Sequence, residues 1–354
     1  MTTNYLYDTL DRVKEVEYPA QWQQSGNPRK IVAHTYDSAS RLATLSYDGN
    51  QHAGDVVYNA SDQTTSIKIG TAGTNQVTED YTFDPQTGLL TNQTATKSST
   101  TLIDLSYDYG RNNSVGSLSG KTGHLTKIID NLNTNKNREY EFDALGRLTK
   151  AKGGTTGTLW NQTYTYDRYG NRTNVAASGV AADSTPIPMD GIPNLTYDNA
   201  TNRITTSGFE YDVAGNQIRA LAEDGVTWVK YDYDAGNRLQ VVTRDDVNQT
   251  QLQVFQYGAT NARLIGYDSA TGQNTIFAGV GGTVLAEYIE FSSLTPTWTK
   301  SYTYLGSSQL ATITPNGTAE TIEFNHRKLK TTNQPEQALN KTHCHSEPEL
   351  LFYC

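Results

Sequence analysis

The chain has 354 residues and a net charge of −9, a balance that leaves out the basic stripe that general nucleic-acid binding needs. Its hydrophobic share of 36% is below the roughly 45–50% of ordinary globular domains, yet 23 tyrosines and only 18% charged residues set it apart from charge-driven disorder. Thr, Asn, Gln, Ser and Gly fill the deficit, which suits a thin sheet with one aromatic and one hydroxyl-rich face, and no apolar run is long enough to span a bilayer. The start, MTTNYLYDTLDR, has no basic-then-apolar leader and enters an alternating pattern at Tyr5, which we read as a repeat of a longer chain already running. Residues 5–69 predict about four strand pairs, broken by PAQWQQSGNPRK, whose Pro19, Gly26 and Pro28 mark a loop expected at an edge. Segments 70–78 and 91–101 read as long turns or frayed strands, and 112–123 reads as a loop. Residues 138–174 hold one strand–turn–strand unit written twice. Residues 175–194 carry three prolines and predict a long connection. Segments 252–267, 274–288 and 298–314 alternate strongly as the last strands, with a wide turn expected at 279–282. The pattern stops after Phe324, and 325–354 reads as an aberrant, disordered tail that holds both cysteines, expected from a truncation or an altered reading frame.

The repeated unit has a conformational explanation. Alternating Tyr, Phe and Thr favour a pleated strand. An Asp at the first turn position accepts from amides further on, and Gly or Asn tolerates the positive φ of the reversal. Asp143, Gly146 and Arg147 form one copy; Asp167, Gly170, Asn171 and Arg172 form the next. Asp212, Gly215 and Asn216, then Asp234, Gly236 and Asn237, repeat the pattern. The same step separates Asp84 from Asp108 as Asp143 from Asp167, and Asp37 to Asp48 is about half of it. The match is uneven: Asp11, Ser40 and Thr201 stand where Gly is expected, Asp84 and Asp268 meet Gly one place late, and Asp234 meets Gly236 one place early. The register of those turns is left open.

YDRYGNRT at Tyr166, FDALGRLT at Phe142, YDVAGNQ at Tyr211 and YDAGNRL at Tyr233 resemble the YD-repeat, or Rhs, family of bacterial Rhs and teneurin-like YD-shell proteins. The resemblance runs from Tyr5 to Phe324. It implies an all-β fold in which antiparallel hairpin repeats over 1–324 form part of a barrel-like shell. A β-propeller is the competing architecture, and would show a steadier period of about 40–45 residues. The resemblance further implies a non-enzymatic scaffold, an encapsulating wall of a secreted or cell-surface toxin-type protein. Its partners would be a C-terminal toxin or neighbouring repeats of a longer chain. The family's closing phrases H-x-D-x-L-G and D-P-x-G are missing, with at most His326 preserved, so the family's aspartic autoprotease activity is not carried over.

Other chemistry is weaker than its bland reading. His343, Cys344, His345 and Cys354 lack paired zinc-ligand spacing, so no metal or cofactor is expected, and whether the cysteines bridge or stay reduced is open. The turn role accounts for the many carboxylates without a catalytic pair. GVGG at 279–282 lacks the Lys-Ser/Thr of a phosphate loop. One binding signal remains: Tyr164, Tyr166, Tyr231 and Tyr233, if open to solvent, would suit stacking on glycans, giving an extracellular adhesive module as the rival function. The alternative reading has tyrosines pairing across strands, with Arg147, Arg172 and Arg238 over rings or near turn carboxylates.

Overall fold

The computed structural model describes residues 1–72, 76–110, 123–180, 194–222, 224–290 and 296–325. The expected tail beyond Asn325 and most of the 112–123 loop lie outside them. β1 (Asn4–Tyr7), β2 (Val13–Glu17), β3 (Ile31–Tyr36), β4 (Leu42–Tyr47), β5 (Asn50–Tyr58), β6 (Thr64–Ile69) and β7 (Val77–Phe83) open the first sheet. β8 (Leu90–Lys97), β9 (Thr100–Asp108), β10 (Lys127–Asp130), β11 (Arg138–Phe142), β12 (Leu148–Gly153), β13 (Trp160–Tyr166) and β14 (Arg172–Gly179) complete it. The second sheet holds β15 (Glu210–Tyr211), β16 (Gln217–Leu221), β17 (Trp228–Tyr233), β18 (Leu239–Arg244), β19 (Gln251–Tyr257) and β20 (Arg263–Asp268). β21 (Gln273–Val280), β22 (Thr283–Glu290), β23 (Thr297–Leu305), β24 (Ser308–Asn316) and β25 (Ala319–Phe324) follow.

Each strand pairs antiparallel with its sequence neighbour, so the 14-stranded and 11-stranded sheets run in strict chain order. That order is an all-β strip of hairpins, as expected, and not the separate four-stranded blades of a propeller. Among the described residues no helix is long and apolar enough to cross a membrane.

Curvature is built in at the repeat. The ladder shifts register at the aromatic residue before the turn, between Leu6 and Tyr7, Thr35 and Tyr36, Glu141 and Phe142, Thr165 and Tyr166, and Asp232 and Tyr233. A bulge of this kind bends its strand and increases the local twist, and repetition on one side curls the strip.

The two ends of the curled strip meet. Val16, Tyr18, Val32, Leu45, Tyr47, Ala53, Ile67 and Ile69 from the N-terminal strands share one buried cluster with Leu285, Ala286, Tyr288, Trp298, Leu310 and Ile313. The PAQWQQSGNPRK loop was expected at an edge, but it crosses this seam: Gln21 is buried, Ala20 accepts from Tyr288 Oη (2.9 Å), and Trp22 accepts the Trp298 amide (3.0 Å).

Three further expectations are corrected. Residues 91–97 are regular strand in β8 and 100–108 in β9, because alternating Thr pairs well across strands. β14 continues through Gly179, inside the connection expected from 175, since small residues without proline still pair with β13; 181–193 lie outside the described residues. The turn at 279–282 is tight, not wide: Val280 pairs with Thr283, and Gly281 and Gly282 at φ 61° and 90° make a two-residue hairpin loop.

Candidate functional site: a ladder of turn carboxylates

In the arginine copies the repeat Asp organises its turn in one way. Asp143 Oδ1 accepts from the amides of Leu145 (2.9 Å) and Arg147 (3.0 Å), and Oδ2 accepts from Arg147 Nε (2.7 Å). Asp234 repeats this with Gly236 (2.8 Å), Arg238 (3.0 Å) and Arg238 Nε (2.7 Å). Asp8 and Asp37 do so with Arg12 and Arg41. The residue three places after Asp is left-handed whatever its type: Gly146, Gly170 and Gly215, but also Asp11, Ser40 and Asn237 at φ 58°, 64° and 56°.

This settles the open registers. Asp8 and Asp37 make the same turn as the glycine copies, and at Asp234 the reversing residue is Asn237, whereas Gly236 only donates its amide to Asp234. Asp84, Asp198 and Asp268 make a turn one residue longer, with Gly88, Asn202 and Gly272 left-handed and donating back to the Asp carbonyl.

Asn171 and Asn216 play a part that the sequence pattern did not reveal. Neither is left-handed; each stands where Arg stands elsewhere and donates its side-chain amide to Asp167 Oδ2 (2.7 Å) or Asp212 Oδ2 (2.8 Å). The signal was available in the spacing, because both lie four residues after Asp.

These contacts hold the turn carboxylates below their ordinary range. The backbone amide of Arg147, followed by its side chain, lowers Asp143 against the opposing effect of burial. For Asp234 the Arg238 side chain is the largest cause, and for Asp212 the Asn216 side chain. Burial alone would raise Asp167, and the side-chain and backbone donors of Asn171 outweigh it.

Successive turns are then joined by a constant rung. Arg147 lies over the Tyr166 ring (5.0 Å), Tyr166 Oη donates to the carbonyl of Leu148 (2.7 Å), and Arg147 Nη1 donates to the Asp167 carbonyl (2.8 Å). Arg12 with Tyr36, Arg41 with Tyr58 and Arg238 with Tyr257 repeat the arrangement at 4.4, 4.6 and 5.0 Å. In every copy the tyrosine hydroxyl binds the carbonyl just after the Arg, in Val13, Leu42 or Leu239. In the asparagine copies Tyr233 donates to Gln217 and Tyr197 to Arg172, while the amides of Asn171 and Asn216 reach Asn202 and Asn237 in the next turn. Arg172 therefore serves its rung through its carbonyl.

The four tyrosines singled out for glycan stacking are half-buried. Tyr166 carries a guanidinium on its ring, and the hydroxyls of Tyr164, Tyr166 and Tyr233 bind Gln162, Leu148 and Gln217. The exposed positions between them are Thr165 and Asp232, so on these strands the outward face presents polar side chains and not aromatic plates. Among the described residues no group of three or more His, Cys, Asp or Glu could hold a metal ion.

Residues 117–266 match the family model of the teneurin YD-shell. No curated protein matches the chain in sequence. The fold is similar to the Photorhabdus luminescens Tc holotoxin pore, with a TM-score of 0.62, and to the TcdB2–TccC3–Cdc42 crystal structure, with a TM-score of 0.65. Both are 17% identical to this chain; the match covers 93% of this chain and 16% of theirs, so it spans about a sixth of their length. The resemblance to YD-repeat proteins thus holds in sequence through the middle of the chain and in fold over most of it.

Proposed function

We propose that this chain, with teneurin YD-shell sequence at its centre and the shell fold over most of its length, is a wall segment: a non-enzymatic strip that encloses rather than reacts. The observation that carries the reading is the ladder. Its carboxylates and guanidinium groups are spent on one another and its tyrosine hydroxyls on backbone carbonyls of the preceding turn, in chain order, so the repeat chemistry joins hairpin to hairpin. In the finer form of the proposal the wall belongs to a secreted or cell-surface toxin-type protein, with a toxin or further repeats as partners. The likeness to toxin assemblies supports that context.

The rival, a glycan-binding module, is tested directly. Titration of the full chain against a panel of immobilised glycans is expected to give no saturable binding. Saturable binding that disappears in Tyr166→Ala or Tyr233→Ala, in protein with an unchanged circular dichroism spectrum, would overturn the wall reading.

A further inference from the structure

The loop of residues 18–30, between β2 and β3, is built as a unit of its own. At its base the Tyr18 amide donates to the Lys30 carbonyl (2.8 Å), the Gln21 amide to the Pro28 carbonyl (2.8 Å) and Arg29 Nε to the Tyr18 carbonyl (3.1 Å). Towards its tip the Gln24 and Asn27 amides donate to the Gln21 and Gln24 carbonyls (3.1 and 2.9 Å), and Asn27 Oδ1 accepts the Gln23 amide (3.1 Å). Pro19 and Pro28 fix φ at the two shoulders. All of these bonds lie within the loop, so its shape does not depend on the far end of the strip.

One side of this unit holds that far end. Tyr18 Oη donates to the Tyr302 carbonyl (2.7 Å), the Ala20 carbonyl accepts Tyr288 Oη (2.9 Å), and Gln21 Nε2 donates to Glu320 Oε1 (2.5 Å). The Trp22 carbonyl accepts the Trp298 amide (3.0 Å), and the Trp22 ring lies 5.8 Å from that of Tyr288. The other side stays in water, with Gln23, Ser25, Gly26 and Asn27 exposed. Ala20 and Trp22 act through main-chain carbonyls, which are aimed by the conformation of the whole loop and not by one side chain.

We infer that the 18–30 loop is a strap across the seam: a preformed element that fastens the two ends together and lets go as a unit, so that the ends part while the hairpins of both sheets stay folded. A segment that carries its own internal bonds keeps them when it is released. Contacts made within five residues of one another are made and broken together, which is the behaviour of a local opening below global unfolding. The inference deepens the wall reading and rests on it, since it names the place where such a wall opens.

The test removes the strap and keeps the hairpin. Residues 19–29 of the full chain are replaced by the dipeptide Asn-Gly, which closes β2 on β3 as a two-residue turn across the Tyr18–Lys30 pair. Amide hydrogen exchange in β22–β25, the Trp298 amide foremost, is expected to quicken at least roughly tenfold, with β12–β14 as slow as before. Trp22→Ala, which leaves the loop's hydrogen bonds in place and removes only the ring packed on Tyr288, asks nothing of a new turn and is expected to quicken the same strands by a smaller factor. Unchanged exchange in both variants would show that the buried cluster closes the ends without the loop, and overturns the inference. Acceleration that spreads to β12–β14 would show that the seam does not open separately, and overturns it too. None of these outcomes depends on glycan binding, so failure here leaves the wall reading standing.

Discussion

Along the turns, Asp143 and Arg147 keep about a quarter of their side-chain surface in water and meet at 2.7 Å, each rung linking only adjacent hairpins. At the seam, Trp298, Tyr47, Tyr288, Leu45 and Ile313 are almost wholly buried, and the contacts join residues nearly the length of the chain apart, as where Tyr18 Oη donates to the Tyr302 carbonyl (2.7 Å). The ladder is local, charged and repeated, so its loss at one rung is a small event. The seam is non-local and dry, so each of its large side chains carries a large share of closure. The curl of the strip comes from the turns, while the meeting of its ends comes from large buried side chains of which only Tyr47 belongs to a repeat phrase among Tyr18, Tyr47, Tyr288 and Trp298.

The largest expected effect is therefore at the seam. Trp298→Ala removes a ring that is 1% exposed and whose Nε1 donates to Ser301 Oγ (3.0 Å). A loss of about 3–5 kcal/mol is expected in urea unfolding, with hydrogen exchange rising in β2–β5 and β22–β25 while β12–β14 stay protected. Equal loosening everywhere would mean that seam and ladder are one cooperative unit.

Acid should separate the two regions by pH. His52 is fully buried at the seam, stacked on Tyr47 and edge-on to Phe324, with Nδ1 3.2 Å from Thr303 Oγ1 and, among the described residues, no partner for Nε2. Burial pushes its pKa down to about 4. Its ring neighbour Tyr47 donates to Glu320, which also accepts from Gln21 and lies 3.8 Å from Lys30, itself paired with Asp48 at 2.6 Å. Because the folded-state pKa lies below the unfolded value near 6.5, the unfolded chain binds the extra proton. The stability from neutral His52 is then complete above about pH 6.5 and is lost as pH falls towards 4, at roughly 1.4 kcal/mol per unit. The ladder carboxylates are lowered from 3.8, so their contribution is lost only below that value. Seam amides should therefore lose protection between pH 6.5 and 4, before the turn amides, and His52→Gln should flatten that window. Simultaneous loss would contradict the ordering.

The contrast between the regions also explains what the sequence made legible. Asp143, Gly146 and Arg147 recur in order, and their hydrogen bonds span at most four residues, so the turn and the all-β strip can be read from the pattern. Asn237 was hidden because Gly236 beside it looks like the reversing residue, although the distance from Asp234 and not residue type fixes the left-handed position. Tyr18, Gln21, Trp22 and Trp298 carry no repeat phrase. Their partners are set by how far the strip curls, a sum over many bulges that no local window contains.

The smallest effect lies within the ladder, where the arginine and asparagine copies differ. Asn171 and Asn216 sit in the β13–β14 and β15–β16 turns, on either side of the break between the two sheets. There the carboxylate is met by a neutral amide, and Tyr233 has its hydroxyl bond to Gln217 without the guanidinium that covers Tyr257. Asn216→Arg would place Nε at Asp212 Oδ2, the guanidinium over Tyr233 and Nη1 at Asn237 Oδ1, as Arg238 does at Asp234, Tyr257 and Asn261. A rise of about 1–2 °C in the melting temperature is expected from one partly exposed cation–ring contact, and Arg238→Asn should give a fall of similar size. The gain should shrink in high salt, because a surface ion pair is screened. A gain of the same size in 1 M salt would assign it to packing of the longer side chain. No gain at all would mean that the asparagine rungs beside the sheet break are already as tightly held as the arginine ones.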